Sequence, residues 1–429
     1  MTAELRGGPT LQAGLRQILA SCREELLVGF AKPSASPNWL LLVKECRLAT
    51  DAEVFRDETG LHWTGALTSD LYDDAVSAGT GIVLVHAHGD AAGAPKLSRP
   101  DRLTADELLG HFGHMLPDVA HCYAVVNGSG VAGWVQWVEE RRPLTQIRTA
   151  STPITSWSAD PQPSRYKMVR GDRQVKALGK AGVAALQAAS VGLVGLGGAG
   201  SQVAEMLAHA GVGHMVLAEA DVVKKVNLNR THGTTLASVG RLKVRVARDM
   251  IHAISPTTNA VPIAEMFPTP KLVEHLRDVS VIVSCVDDLH ARDELNRFAL
   301  RYGVLLIDVG TTITQNPFGV DGHVSSVMPE GHCLWCAGHV SDHLLAVEAE
   351  AARRGKYGVG GQPQVVSFNG LLASATVNEV LKVLTGYAGD LVGSHELYYD
   401  GVSGELQRVI IPPAGCSQCT WYSFRGDQA

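Results

Sequence analysis

The chain has 429 residues, 45% of them hydrophobic and 19% charged, and a formal net charge of −6. That length builds two or three domains with full cores, and that composition excludes a largely disordered chain. The acidic balance lacks the basic face of a nucleic-acid binder, and no apolar run reaches the roughly 18–20 residues of a membrane span, so neither partner is expected. The opening Met1-Thr2-Ala3-Glu4-Leu5-Arg6 carries no signal-peptide pattern. Eight cysteines, four of them in close pairs, fit a reducing cytoplasm better than a disulfide scaffold.

Leu11, Leu15, Ile18 and Leu19 predict a helix over 11–21. Strands are predicted at 26–30 and 39–43. Ile82-Val83-Leu84-Val85 reads as a wholly apolar strand that delivers His86 at its end. A helix over 105–112 and a strand over 123–127 complete a mixed-sheet α/β domain, 1–140, with its last element near Trp137. Residues 141–165 are polar and Pro-rich, with Arg141-Arg142-Pro143 at one end and Asp160-Pro161-Gln162-Pro163-Ser164 at the other, and predict a linker. The remainder, 166–429, alternates. Strands are predicted at 190–194, 214–217, 279–285 and 304–308, with helices at 201–210, 243–254 and 291–302. That alternation predicts a doubly wound parallel sheet.

In the first half, His86 and His88 stand at i and i+2 on a strand end, so both imidazoles point to one side. Asp101 supplies a third ligand, which leaves one zinc position open to water. Ser98 is placed to donate to a developing oxyanion. H-x-H alone is a poor signal, and two incidental surface histidines are the plain alternative. With the S-x-x-D of Ser98 to Asp101 and the apolar strand, this segment resembles the JAMM (MPN+) metallopeptidases. The spacer from His88 to Ser98 is longer than the commonest one in that family. The resemblance implies a catalytic zinc, cleavage after the C-terminal glycine of ubiquitin-like proteins, and an upstream glutamate base. Glu24 and Glu25 both qualify, and Glu25 is preferred for its distance to the apolar run.

In the second half, Gly195, Gly197, Gly198 and Gly200 form a G-x-G-x-x-G loop between a strand and a helix, where backbone and helix N-terminus favour phosphate. Alone this suits NAD as readily as ATP. Glu219 ends the next strand, where an acid meets the ribose. Asp221, Asn227, Arg230 and the helical Lys243 follow, and a triphosphate needs such cations on its leaving pyrophosphate. Asp287 is placed for Mg²⁺. Cys333/Cys336 and Cys416/Cys419 are two C-x-x-C pairs that close a structural zinc site, with a redox role for one pair as the alternative.

With Arg173-Gln174 ahead of the first strand, these motifs over 166–425 resemble the ThiF/MoeB and ubiquitin-activating enzyme family. The resemblance implies that Glu219 holds ribose, that Asn227, Arg230 and Lys243 hold phosphate, and that Asp287 holds Mg²⁺. It implies that Arg173 reaches phosphate from a homodimer partner. The sequence departs at Glu219, Val226, Thr231 and Val286-Asp287-Asp288. Many family members carry a nucleophilic cysteine after the first C-x-x-C pair, but 337–364 contains none. Cys285, on a core strand, is not expected to replace it. The fused chain is therefore expected to adenylate a separate ubiquitin-like protein and to process it with the zinc half, with an E2-like conjugating protein as a further partner. Activation of a sulfur-carrier protein is the second reading, and a scaffold that only binds is the third.

Overall fold

The computed structural model describes every residue except 1, 35–38, 58–59, 90–92, 161–171, 316, 355–362, 390–394, 413–414 and 429. Part of the expected linker and the Gly-rich run 356–361 lie outside the described residues. Among the described residues no helix is long and apolar enough to cross a membrane.

The first half runs β1 (Ala3–Gly7), α1 (Pro9–Ala20), β2 (Leu26–Ser34), β3 (Trp39–Leu48), β4 (Val54–Asp57), β5 (Gly60–Trp63), α2 (Gly65–Ala78), β6 (Gly81–Ala87), α3 (Arg99–Met115), β7 (Ala120–Asn127), β8 (Gly130–Trp137), β9 (Glu140–Thr149) and β10 (Thr155–Ser158). Strand order is β1-β3-β2-β6-β7-β8-β9-β10, and β1 also pairs with β9, so seven strands close on themselves. Closure removes the exposed edges that an open sheet would present. Apolar residues alternate between the faces. Leu5, Leu27, Leu41, Val83 and Val85 pack with Leu11, Leu15 and Ile18 of α1. Leu26, Val28, Ile82, Leu84 and Tyr123 pack with Leu67 and Leu71 of α2 and Leu108 and Phe112 of α3.

The expected linker, 141–165, is folded as strand over much of 141–158. β9 pairs with β8 and β1, and β10 pairs with β9. Arg148 and Thr149 are polar yet buried there, because hydrogen bonds satisfy them.

The second half continues with α4 (Asp172–Ala188), β11 (Ser190–Val194), α5 (Gly198–Ala210), β12 (His214–Ala218), α6 (Lys243–Ile254), β13 (Asn259–Ile263), α7 (Pro270–Arg277), β14 (Val281–Ser284), α8 (Leu289–Tyr302), β15 (Leu305–Gln315), β16 (Phe318–Val327), α9 (Asp342–Arg353), α10 (Val366–Thr385), β17 (His395–Asp400), β18 (Glu405–Ile410) and α11 (Ser417–Tyr422). The order β13-β12-β11-β14-β15-β16-β17-β18 is parallel as far as β15 and antiparallel beyond it. The expected doubly wound parallel sheet is present and is extended by a three-strand antiparallel wing. The strand reversal between β11 and β14 is the topological switch point, where α/β sheets bind ligands at the carboxyl ends of their strands.

The halves are packed together. Leu40 and Leu42 of β3 sit in the same apolar cluster as Tyr302 and Phe424. Arg6 donates through Nη1 to the carbonyls of Arg277 and Tyr302, both at 2.9 Å. Arg148 Nη1 donates to Asp278 O at 3.2 Å and Val279 O at 3.0 Å. These carbonyls lie at or beside the ends of α7 and α8, where a cation offsets the helix dipole.

Candidate functional site

β6 is buried at every position and ends in His86 and Ala87. His88 N then donates to Val126 O at 2.8 Å, which extends the β6–β7 ladder far enough to fix the second imidazole. Asp101 comes from the first turn of α3. Ser98 caps that helix: its Oγ accepts from Asp101 N at 3.2 Å, and Asp101 Oδ2 accepts from Ser98 N at 2.6 Å. This reciprocal capping box holds the carboxylate facing the strand end.

The three side chains converge. His86 Nε2 lies 3.2 Å from Asp101 Oδ1, His88 Nε2 3.3 Å from Asp101 Oδ2, and the two Nε2 atoms are 3.1 Å apart. Ligand atoms 2.0–2.1 Å from a tetrahedral zinc stand about 3.3 Å from one another, so the set fits that ion. Burial raises the Asp101 pKa, but hydrogen bonds from His86, His88 and Ser98 outweigh it and hold the carboxyl well below the usual carboxylate range. A hydrogen bond to Asp101 raises His88, against burial, and the charge of Glu24 adds to it. Tyr123 Oη donates to Asp101 Oδ1 at 3.3 Å, a contact the motif does not reveal.

The two candidate bases, Glu24 and Glu25, lie just before β2. β2 and β6 are antiparallel with Leu26 opposite His86. Both glutamates precede that pair in the chain, and the one whose charge acts on the histidine side is Glu24. Its charge acts on both His88 and Tyr123. Glu25 Oε2 is buried without a hydrogen bond. Arg56 of β4 donates to Glu24 O at 2.6 Å and ties the β4–β5 hairpin to this corner. A cavity of about 420 Å³ lined by Phe55, Leu61, Trp63, Thr104, Leu108 and His111 opens one turn along α3 from Asp101.

The glycine loop joins β11 to α5. Gly195 has φ +89°, and a Cβ there would lie 2.6 Å from Cys285 O. A Cβ on Gly200 would lie 2.0 Å from Gly195 O. Any side chain at either position would break the close approach of loop, α5 and β14. Lys243, at the start of α6, is buried, and its Nζ donates to Glu219 Oε2 and Asp221 Oδ2, both at 3.1 Å. Glu219 also accepts from Leu196 N at 3.3 Å and from Asp221 N at 3.0 Å, so one acid links the loop, the strand end and the lysine. Asn227 Oδ1 accepts from Lys224 N at 2.9 Å and shapes the turn before Arg230. Arg230 Nη1 donates to Val226 O at 2.7 Å and to Asn229 Oδ1 at 3.0 Å. The structure thus brings together the loop, Glu219, Asp221 and Lys243. Asp287, after β14, and Arg173, in α4, are exposed, and among the described residues neither shares a hydrogen bond with that set.

A buried network below the strand ends is not evident from the motifs. Asp308 Oδ1 accepts from Ser284 Oγ at 2.6 Å, and Oδ2 meets Arg292 Nε at 3.0 Å and His323 Nε2 at 2.9 Å. It ties the carboxyl end of β14 to β15. Burial raises the Cys285 thiol strongly, and the charge of Asp308 adds to it, the opposite direction from the lowered pKa of a thioester nucleophile.

The four knuckle cysteines meet. Their sulfurs lie 3.8 Å apart for Cys333–Cys336, 3.6 Å for Cys333–Cys416, 3.5 Å for Cys336–Cys419 and 3.6 Å for Cys416–Cys419. Sulfurs 2.3 Å from a tetrahedral zinc stand about 3.8 Å apart, so this set fits a structural zinc.

Comparison with known proteins covers the same second half. The molybdopterin-synthase adenylyltransferase of Escherichia coli is 27% identical over 263 residues, 60% of this chain and 98% of that protein. The sulfur carrier protein adenylyltransferase of Thermus thermophilus is 30% identical over 234 residues, 54% of this chain and 83% of that protein. The crystal structure of E. coli MccB with succinimide superposes with a TM-score of 0.50 at 17% identity, covering 60% of this chain and 76% of that one, a likeness of fold. The model of the ThiF family matches residues 171–420, and the chain therefore belongs to the ThiF family.

Proposed function

We propose that this chain is a two-site enzyme acting on the C-terminus of a ubiquitin-like protein. The ThiF half joins AMP to the terminal glycine carboxylate, and the first half is a JAMM-like zinc (iso)peptidase that trims precursors or removes conjugates. The observation that carries this reading is the His86–His88–Asp101 cluster, spaced as zinc ligands, in the same chain as a ThiF half.

In the adenylation step a carboxylate oxygen attacks the α-phosphorus of ATP, and the bond to the bridging oxygen breaks to release pyrophosphate. Lys243 and Arg230 offset the charge on the leaving group, and Lys243 stays fully ordered through its two carboxylate partners. Asp287 would hold Mg²⁺, which neutralises phosphate charge. Arg173 acts from a second copy in a homodimer.

In the peptidase half, His86, His88 and Asp101 would hold a zinc that supplies Lewis acidity to a scissile carbonyl. Glu24 takes the proton of the attacking water and passes it to the leaving amine. Ser98 Oγ accepts from the α3 backbone, which leaves its own proton for the carbonyl oxygen. The work is placed in the cytoplasm, with an E2-like protein as downstream acceptor.

A second reading, activation of a sulfur-carrier protein, is favoured by the name of the Thermus thermophilus relative. ATP–pyrophosphate exchange with purified small proteins ending in glycine tests both. Exchange should depend on the small protein, and Lys243→Ala should slow it by about 10²–10³. No exchange with either class of partner would leave the ThiF half as a binding scaffold.

A further inference from the structure

Asn369 lies in the first turn of α10, among the residues that pack this helix on the glycine loop. It is 2% exposed, and its Nδ2 is buried with no hydrogen-bond partner. Thr311 Oγ1 approaches Asn369 Oδ1 at 3.5 Å, which turns the amide nitrogen toward the loop. There it faces Gly198, the first residue of α5: a Cβ on Gly198 would lie 2.2 Å from Nδ2 and 3.3 Å from Arg230 Cδ. Gln202 anchors the two helices to each other, its Nε2 donating to Gly198 O at 3.1 Å and Val366 O at 3.3 Å. The amide is therefore held in place by rigid elements on both sides.

A buried amide without a partner costs about 1–3 kcal/mol, and an apolar side chain would fill the same space without that cost. The amide stands where α5 begins, beside the aliphatic stem of Arg230. A helix start is electropositive and takes an oxyanion. Thr231, next in the chain to Arg230, carries a second buried hydroxyl without a partner. Its neighbour His232 is docked on α5 by a 2.9 Å bond from its backbone N to Ser201 Oγ.

We propose that Asn369 is a nucleotide-positioning residue whose Nδ2 donates to a phosphate oxygen of ATP at the head of α5. This rests on the adenylation reading and adds to it a ligand from α10 that the loop and cation motifs do not contain. The missing side chain of Gly198 leaves room for this amide, which approaches the loop from the far side as a phosphate donor.

The test is calorimetric titration of MgATP into the full chain, with thermal unfolding recorded alongside. Asn369→Asp keeps the shape and the Thr311 contact but replaces the donor with a negative charge. It should weaken MgATP binding by about 10- to 100-fold with the melting temperature little changed. Asn369→Ser, smaller and neutral, should give a lesser loss in the same direction and guards against misfolding of the aspartate variant. Wild-type affinity for MgATP in two folded variants would overturn the proposal. Failure of the wild type to bind MgATP would instead overturn the adenylation reading itself.

Discussion

Glu24 and Glu25 are adjacent in sequence, and one residue decides which can serve the zinc. The apolar run after them sets a strand but not its register against β6, so either glutamate satisfies the spacing. Leu26 pairs with His86 just after them, and Glu24 is the one whose charge acts on His88 and Tyr123. Glu24→Gln is expected to reduce cleavage of a ubiquitin-like fusion by at least about 10², while Glu25→Gln should keep most of the activity. Zinc content should be unchanged in both. Full cleavage by Glu24→Gln would remove that residue from the proposed chemistry. His86, His88 and Asp101 were legible because their residue types and spacing are the chemistry. Tyr123 and Asp308 were not: a tyrosine and an aspartate in apolar strands carry no local mark, and only tertiary packing gives them partners.

Elements with strong apolar patterns matched their expectation. α6 starts at Lys243 and ends at Ile254 as its period predicts. α2 was absent from the sequence reading although Thr64 caps it and Leu67, Leu71 and Ala75 fall at i, i+4 and i+8. β9 was misread as linker for a different reason. Its buried side chains include Arg142, Arg148 and Thr149, and composition alone scores those as solvent-facing. The knuckle elements were legible in the four cysteines, and α11 is short enough to need them. Cys416 caps α11 through its Sγ, and α11 packs on α8. Cys333→Ser should lower zinc content by one atom per chain and destabilise the second half, because a structural zinc contributes folding energy directly. Metal analysis with thermal unfolding checks this. A variant of unchanged zinc content and unchanged stability would contradict a structural zinc at these cysteines.

At the scale of the whole molecule, Arg6 and Arg148 join the halves around Glu4. Burial pulls the Arg6 pKa down to about 10, and Arg148 adds to that, yet the Glu4 contact keeps it charged at neutral pH. Burial raises Glu4, but the two arginines outweigh it and leave its pKa lowered. Arg6→Ala strips the carbonyls of Arg277 and Tyr302 of their donor and leaves Glu4 with one cation. Breaking such a buried set costs about 3–5 kcal/mol. Calorimetry should show the variant melting earlier, with the halves unfolding in separate transitions. A single transition at the wild-type temperature would mean that the apolar contacts of Leu40, Leu42 and Phe424 suffice. None of this joint was legible in the sequence, because Arg6 and Glu4 read as ordinary surface charges near a chain start.

Action of both sites of one packed molecule on one carboxyl terminus is tested most directly by intact-mass spectrometry of a single reaction. The substrate is a ubiquitin-like protein extended beyond its terminal glycine, incubated with the zinc-loaded chain, Mg²⁺ and ATP. The extension should be lost first, and the trimmed protein should then gain the mass of AMP. Without ATP it should stop at the trimmed form, and with His88→Ala it should remain uncut. Release of the extension with no AMP adduct, or an unchanged substrate in the presence of the wild-type chain, would contradict the two-site account.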